Sequence, residues 1–178
     1  EELSWEQTWS NNIGLRLGFF NRVNLDIDFY HKKTTDMLMS VPESYAITGE
    51  GYRWDNIGAM VNRGVEVSVS DIIRTKDFTW NLNANVSYNK NKLVELYNGV
   101  QEYVNSTTGL KFVVGHPVHE YFLNRYAGVN PANGDALWYT KDGELTTEFN
   151  EGDKVMTGKT FDAPWAGGFG TTFAWKGL

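Results

Sequence analysis

Cysteine is absent from all 178 residues. That excludes disulfides and thiolate-ligated zinc, but it does not fix the compartment, because exported bacterial proteins also do without cysteine. No apolar run approaches the ~20 residues that a membrane-spanning helix needs. The opening EELSWEQ lacks the basic start and apolar stretch of a signal peptide. Lys and Arg are not clustered along the chain, and a net charge of -6 with a pI near 5.1 argues against a nucleic-acid partner. Long runs of good helix formers are also missing. The chain starts without Met and stops at FAWKGL, inside a stretch that reads as strand, so it is expected to be a piece of something longer.

What is present favours strands and turns. Glycine numbers 18, aromatics make up 15%, and there are seven Trp, nine Tyr and many Asn. In FTWNLNANVSYNKN, Phe78, Trp80, Leu82, Ala84, Val86 and Tyr88 alternate with Thr79, Asn81, Asn83, Asn85, Ser87 and Asn89. Such a period of two is a strand with one apolar and one polar face. The pattern recurs from Trp9 to Phe19, with Asn11 as the misfit, and in Val23, Leu25, Ile27 and Phe29. It returns in Val65, Val67 and Val69 and in Phe169, Thr171, Phe173 and Trp175. Strands are expected at about 5–20, 23–31, 61–71, 78–89 and 168–178, each near the ~9–11 residues of a tilted membrane-spanning strand.

Tight turns at Asn21 and Arg22 and through Ile72 to Asp77 join the first and second pairs. The stretches 31–57 and 90–167 read as long loops. Counted down, up, down, up, down, both short connections fall on one rim and both long ones on the other, as in an outer-membrane barrel. Phe19, Phe20, Phe78, Trp80 and Trp175 are expected near the short-turn rim, and Trp5, Trp9, Phe29, Tyr30, Tyr88 and Phe169 near the long-loop rim, as two interfacial girdles. Leu15, Leu17, Leu25, Ile27, Val67, Leu82 and Val86 would face outer-membrane lipid. Arg16, Asp26, Asp28, Glu66, Asn81, Asn83 and Asn85, with Asn12, Asn24 and Asn62, would form a hydrated lumen wall. The expected fold is all-β: antiparallel up-and-down strands forming an arc of a transmembrane β-barrel with long extracellular loops, since five strands cannot close such a barrel. The alternative is a soluble all-β binding or adhesion module, two sheets burying the same faces against each other.

Five stretches in order resemble the carboxy-terminal barrel region of the SusC/RagA family of TonB-dependent outer-membrane transporters of Bacteroidota. They are LSWEQTWSNNIGLRLGFFNRVNLDIDFYHKKTTDML from Leu3, NIGAMVNRGVEVSVS from Asn56, IIRTKDFTWNLNANVSYNKNKLVELYNG from Ile72, VVGHPVHEYFLNRYAGVNPANGDALWY from Val113, and GGFGTTFAWKGL from Gly167. The resemblance implies import of large nutrients, glycans or peptides, across the bacterial outer membrane, with a SusD-like surface lipoprotein as lid and TonB as the energy source. No counterpart of the family's plug or TonB-contacting segment is found in this sequence.

No catalytic residue, metal site or cofactor is expected. Asp26 and Asp28 are same-strand neighbours pointing one way, whereas a glycosidase sets two carboxylates across the sugar bond; lumen lining or pairing of Arg16 across the first hairpin fits better. His116, His119 and Glu120 lack a second half of a metal site. The same stretch resembles the family's Gly-x-Pro entry to a loop ending in an aromatic cluster, here Tyr121, Phe122 and Tyr126. Asn133, Gly134, Asp135 and Asp142, Gly143, Glu144 read as turns, and they offer oxygen ligands without the spacing of a known calcium loop. The sequon matches at Asn85 and at Asn105-Ser106-Thr107 are uninformative. Tyr45, Tyr52, Arg53, Trp54 and Asp55 in the first loop mix aromatic faces with polar partners. So do Tyr97, Tyr103, Tyr121, Tyr126, Trp138 and Tyr139 in the second. Both sets are the expected substrate or lid contacts, or else pack the loops together.

Overall fold

The computed structural model describes residues 3–105 and 109–176. The expected strand end at 177–178 and the sequon positions Ser106 and Thr107 lie outside these residues. Four long strands come first: β1 (Gln7–Phe19), β2 (Val23–Pro42), β3 (Tyr52–Arg74) and β4 (Phe78–Glu95). Seven short strands follow: β5 (Glu102–Val104), β6 (Lys111–Val113), β7 (Glu120–Leu123), β8 (Arg125–Val129), β9 (Ala136–Tyr139), β10 (Leu145–Thr146) and β11 (Val155–Thr160). The last strand is β12 (Trp165–Trp175). The long strands form one antiparallel meander in the order β1-β2-β3-β4-β12, and the short ones form three small sheets. No helix among the described residues is long and apolar enough to cross a membrane.

Pairing in register carries the alternation of each strand across the whole sheet, because cross-strand partners share a face. Leu15, Ile27, Val67 and Val86 form one row; Leu17, Leu25, Val69, Ala84 and Phe169 form the next. The opposite face carries Arg16, Asp26, Ser68 and Asn85 in one row, and Asp28, Glu66 and Ser87 in another. The apolar face is open: Ile13 is 73% exposed, Leu15 50% and Phe169 87%. A sandwich would bury these residues, so the two-sheet alternative does not hold. On β4 and β12 the apolar face runs from the Phe78–Trp175 pair to the Tyr88–Trp165 pair, ten residues along β4. At ~3.4 Å per residue and a tilt of ~40° that is roughly 26 Å of height, which matches the apolar band of a membrane barrel.

The first turn is closed by Arg22 N–H donating to the Phe19 carbonyl at 3.1 Å, with Phe20 and Asn21 at φ 54° and 57°. Two positive φ values in succession give the mirror-image turn that suits the twist of a hairpin. The second turn is shorter than expected, Thr75 to Asp77, because β3 continues to Arg74.

The expected loop at 31–57 is mostly strand. β2 and β3 continue as a ladder to Pro42 and Tyr52, and only a nine-residue link remains, holding one helical turn, α1 (Tyr45–Thr48), capped by Ser44. Asp36, at φ 55°, lies in a bulge on β2, and a compensating shift follows on β3 between the partners of Met37 and Leu38. One extra residue flips every later side chain to the other face. Met37, Met39 and Val41 therefore join the polar face although they share the odd beat of Leu25 and Ile27. The expected loop at 90–167 likewise begins only after Glu95 and ends at Trp165, and it holds β5 to β11.

Two aromatic placements differ from expectation. Phe169 pairs with Ala84, four residues from Trp165, so it stands within the apolar band and Trp165 takes the rim. Tyr30 is paired with Gly64 on the polar face. Trp5 precedes β1. Asn11 does fit, because it pairs with His31 in a polar row just above Phe29.

Candidate functional site

The polar face and the long β4–β12 connection form one continuous surface. Low on the face, Arg16 Nε meets Asp26 Oδ1 at 3.1 Å across the first hairpin. Asp28 sits opposite Gly14, where a Cβ would lie 2.5 Å from its Oδ1. Asn81, Asn83 and Asn85 continue the face along β4. Higher up, Tyr30 donates to Asn89 Oδ1 at 2.9 Å, and its ring lies over Gly64, where any Cβ would collide with the Tyr30 ring and the Tyr88 carbonyl. Asn91 donates to Asn62 Oδ1 at 3.0 Å and accepts from the Val118 N–H at 2.8 Å. That last bond joins the wall to the connection.

Above this ladder the polar face becomes apolar and is covered. Met39, Leu93 and Leu96 are buried, with Met37, Tyr103, Phe112, Val114 and Val118 packed against them. Thr34, Met60 and Leu93 share a row with Thr8 on the polar face. The connection therefore folds back over the same face that carries Arg16 and Asp26. Tyr103 stacks on Phe112 at 5.2 Å, meets Tyr97 edge-on at 5.5 Å and donates its hydroxyl to the Ser40 carbonyl at 3.2 Å. Burial pushes the Tyr103 phenol above its ordinary value. Tyr97 and Tyr103 are thus packing residues of the fold.

His116 and His119 turn to different acids. His116 Nδ1 meets Glu120 Oε2 at 2.8 Å, and His119 Nδ1 meets Asp162 Oδ2 at 2.8 Å. Glu120 is 2% exposed, and its other oxygen accepts the Gly158 N–H at 2.6 Å, clasping β7 to β11. Among the described residues no group of three or more acids and histidines could hold a metal ion. Asn133 and Asp135 hydrogen-bond each other within their turn.

The clasp closes the base of an outer lobe, β8 to β10. Here Trp138 meets Tyr126 at 5.3 Å and Phe149 at 5.1 Å, and Arg125 lies over Tyr139 at 5.3 Å. Tyr126 is 56% exposed. Tyr121 packs on Phe161 and Phe122 lies under Lys111, so Tyr121, Phe122 and Tyr126 do not form the single cluster expected. Tyr45 leans on Gly51. After the bulges Tyr52 and Trp54 lie on the side of Leu38 and Ser40, away from the covered face. Phe112, Phe149 and Phe161 also join these contacts, and the sequence gives no sign of it, because loop aromatics without a period do not show which will meet.

A single-layered meander with one open apolar face, one polar face, short turns on one rim, and on the other a hairpin extended past the apolar band beside the long β4–β12 connection, is an arc of a transmembrane β-barrel. Residues 1–177 match the TonB dependent receptor-like β-barrel family. The chain belongs to that family. It is similar to the TonB-dependent receptor SusC of Bacteroides thetaiotaomicron, at 33% identity over 88% of this chain and 17% of SusC. It also matches the solved RagAB peptide transporter, with a TM-score of 0.87 and 32% identity over 98% of this chain and 20% of that one. The RagAB peptide importer in its open-open state matches with a TM-score of 0.88. The chain thus spans about a fifth of these relatives' length.

Proposed function

We propose that this chain is a wall-and-loop segment of an outer-membrane importer of large nutrients, glycans or peptides. Its polar face lines the lumen and its apolar face meets lipid. The long-connection rim faces outward beneath a SusD-like lipoprotein, and import is driven through TonB by other regions of the barrel protein. The observation behind this reading is the continuity of one face. The hydrated wall at Arg16, Asp26 and Asn85 rises through Asn62 and Asn91 into the connection that folds over it, so a solute in the lumen would meet that connection first. The outer lobe, with Tyr126, Trp138 and Tyr139 and neighbouring Tyr121, offers flat amphipathic rings for sugar or peptide. Tyr52 and Trp54 would meet a partner outside the wall.

The test uses the full-length transporter with residues 124–154 replaced by a short Gly/Ser turn. The β7–β11 ladder and the core around Leu93 stay intact, and shortening a closed loop changes closure entropy only slowly. The barrel should stay folded and heat-resistant while growth on the cognate nutrient, or co-purification of the lid lipoprotein, is lost. Survival of both would show the lobe to be a passive insertion.

A further inference from the structure

The apolar face does not end at its upper aromatic row. Directly above Phe29, Val65 and Tyr88, register sets His31, Arg63 and Lys90 side by side on the same face. One row higher, Lys33 and Lys92 flank Val61. Three adjacent strands span about 10 Å, and two rows are separated by about 7 Å. Four full cations are thus gathered from three strands into a patch the size of one lipid headgroup. Lys33, Arg63, Lys90 and Lys92 are all exposed. None of the four makes an ion pair among the described residues. Of the acids around them, Asp162 beyond the β4 edge lines a cavity with Lys90 but is engaged by His119 at 2.8 Å, and Glu95, opposite Ala59, stands a row further up.

Four unpaired cations repel one another, and in a chain of net charge -6 their convergence at one depth calls for an anion. Below them lies a groove of about 410 Å³ lined mainly by Phe29, His31, Arg63, Val65, Tyr88 and Lys90. Its lower wall is aliphatic and aromatic, and its upper wall is cationic. A soluble anion would use only the upper half, and an uncharged acyl chain only the lower. An amphiphile with acyl chains and a phosphorylated headgroup fills both.

We propose that Lys33, Arg63, Lys90 and Lys92 form a docking site for the phosphorylated headgroup of an outer-leaflet glycolipid, its acyl chains lying down the groove beside Phe29 and Tyr88. This rests on the proposed orientation of the two faces. The site would hold the wall at a set depth and ring this arc with ordered anionic lipid. Because exposed charges are screened within ~8 Å at physiological salt, the headgroup must sit in contact with the patch.

The test measures binding of fluorescent lipid A to the purified full-length transporter in uncharged detergent, with phosphate present or enzymatically removed. Each cation near a membrane surface is worth about fivefold in affinity for anionic lipid. The combined Arg63→Gln, Lys90→Gln and Lys92→Gln variant should therefore lose about 100-fold, while still migrating as a heat-resistant barrel. Lys32→Gln, one residue from Lys33 and on the polar face, should bind as the unaltered protein does. Equal binding of the dephosphorylated lipid, or full binding by the triple variant, would overturn the proposal. A loss in Lys32→Gln as large as in the triple variant would show that net charge or a reversed orientation governs binding. Because the assay involves no transport, failure of the import reading leaves its outcome unaffected.

Discussion

Val69 lies on the apolar face of β3, four residues from Val65 and two from Asp71, in a row with Leu25 and Ala84. At ~3.4 Å per residue and a tilt of ~40°, the upper aromatic row is about 10 Å away in depth and the lower one, at Phe78 on β4, about 16 Å. An arginine there cannot bring its guanidinium fully to the upper interface, and the one acid within a row of it on this face, Asp71, is already held by Arg22 Nε at 3.4 Å. Val69→Arg should cost about 2–4 kcal/mol, roughly 30- to 900-fold in the ratio of folded to unfolded protein. Ser68→Arg is the control. It lies one residue away on the polar face, between Asp26 and Asn85. In a wet lumen it should change stability by no more than about 0.5 kcal/mol. Both are measured in the full-length transporter as guanidinium unfolding from lipid vesicles, followed by tryptophan fluorescence. Equal losses from the two substitutions would refute the assignment of faces, and a silent Val69→Arg would mean that this face is not against lipid.

Gly64→Ala should slow or abolish assembly, because the new Cβ collides with the Tyr88 carbonyl as well as the Tyr30 ring. Adding Tyr30→Phe should not rescue it, since the backbone contact remains, and rescue would place the conflict in the side chain. Leu93→Ala removes a fully buried side chain from beneath the connection and should cost about 2–5 kcal/mol. Limited proteolysis should then cut between Leu96 and Val118 first, while the meander below stays protected. Protease added to intact cells freed of any lid protein should cut the β4–β12 connection and spare Phe20 to Val23. Cleavage at that turn would reverse the rims.

Period-two alternation settled the chemistry of the two faces, because side-chain direction along a strand is local and needs no partner. Leu15, Ile27, Val67 and Val86 could be set apart from Arg16, Asp26 and Asn85 before any pairing was known. The sequence also marked the first tight turn, since Asn21 there tolerates positive φ, but in it the nine-residue β2–β3 link reads as a loop from 31 to 57. What lay beyond the alternation did not show. Past Thr34 the face opposite the apolar band is roofed by the chain's own connection, so Met39 and Leu93 are apolar where a lumen wall would be polar. The bulge at Asp36 then shifts the beat by one residue. Both effects read as loop in the sequence, and both depend on contacts between residues far apart in the chain. The cationic patch is the clearest case. Lys33, Arg63, Lys90 and Lys92 form no run in the sequence and are diluted by its net negative charge. Only the register of three strands, a non-local choice fixed by burial and pairing, brings them to one depth on one face.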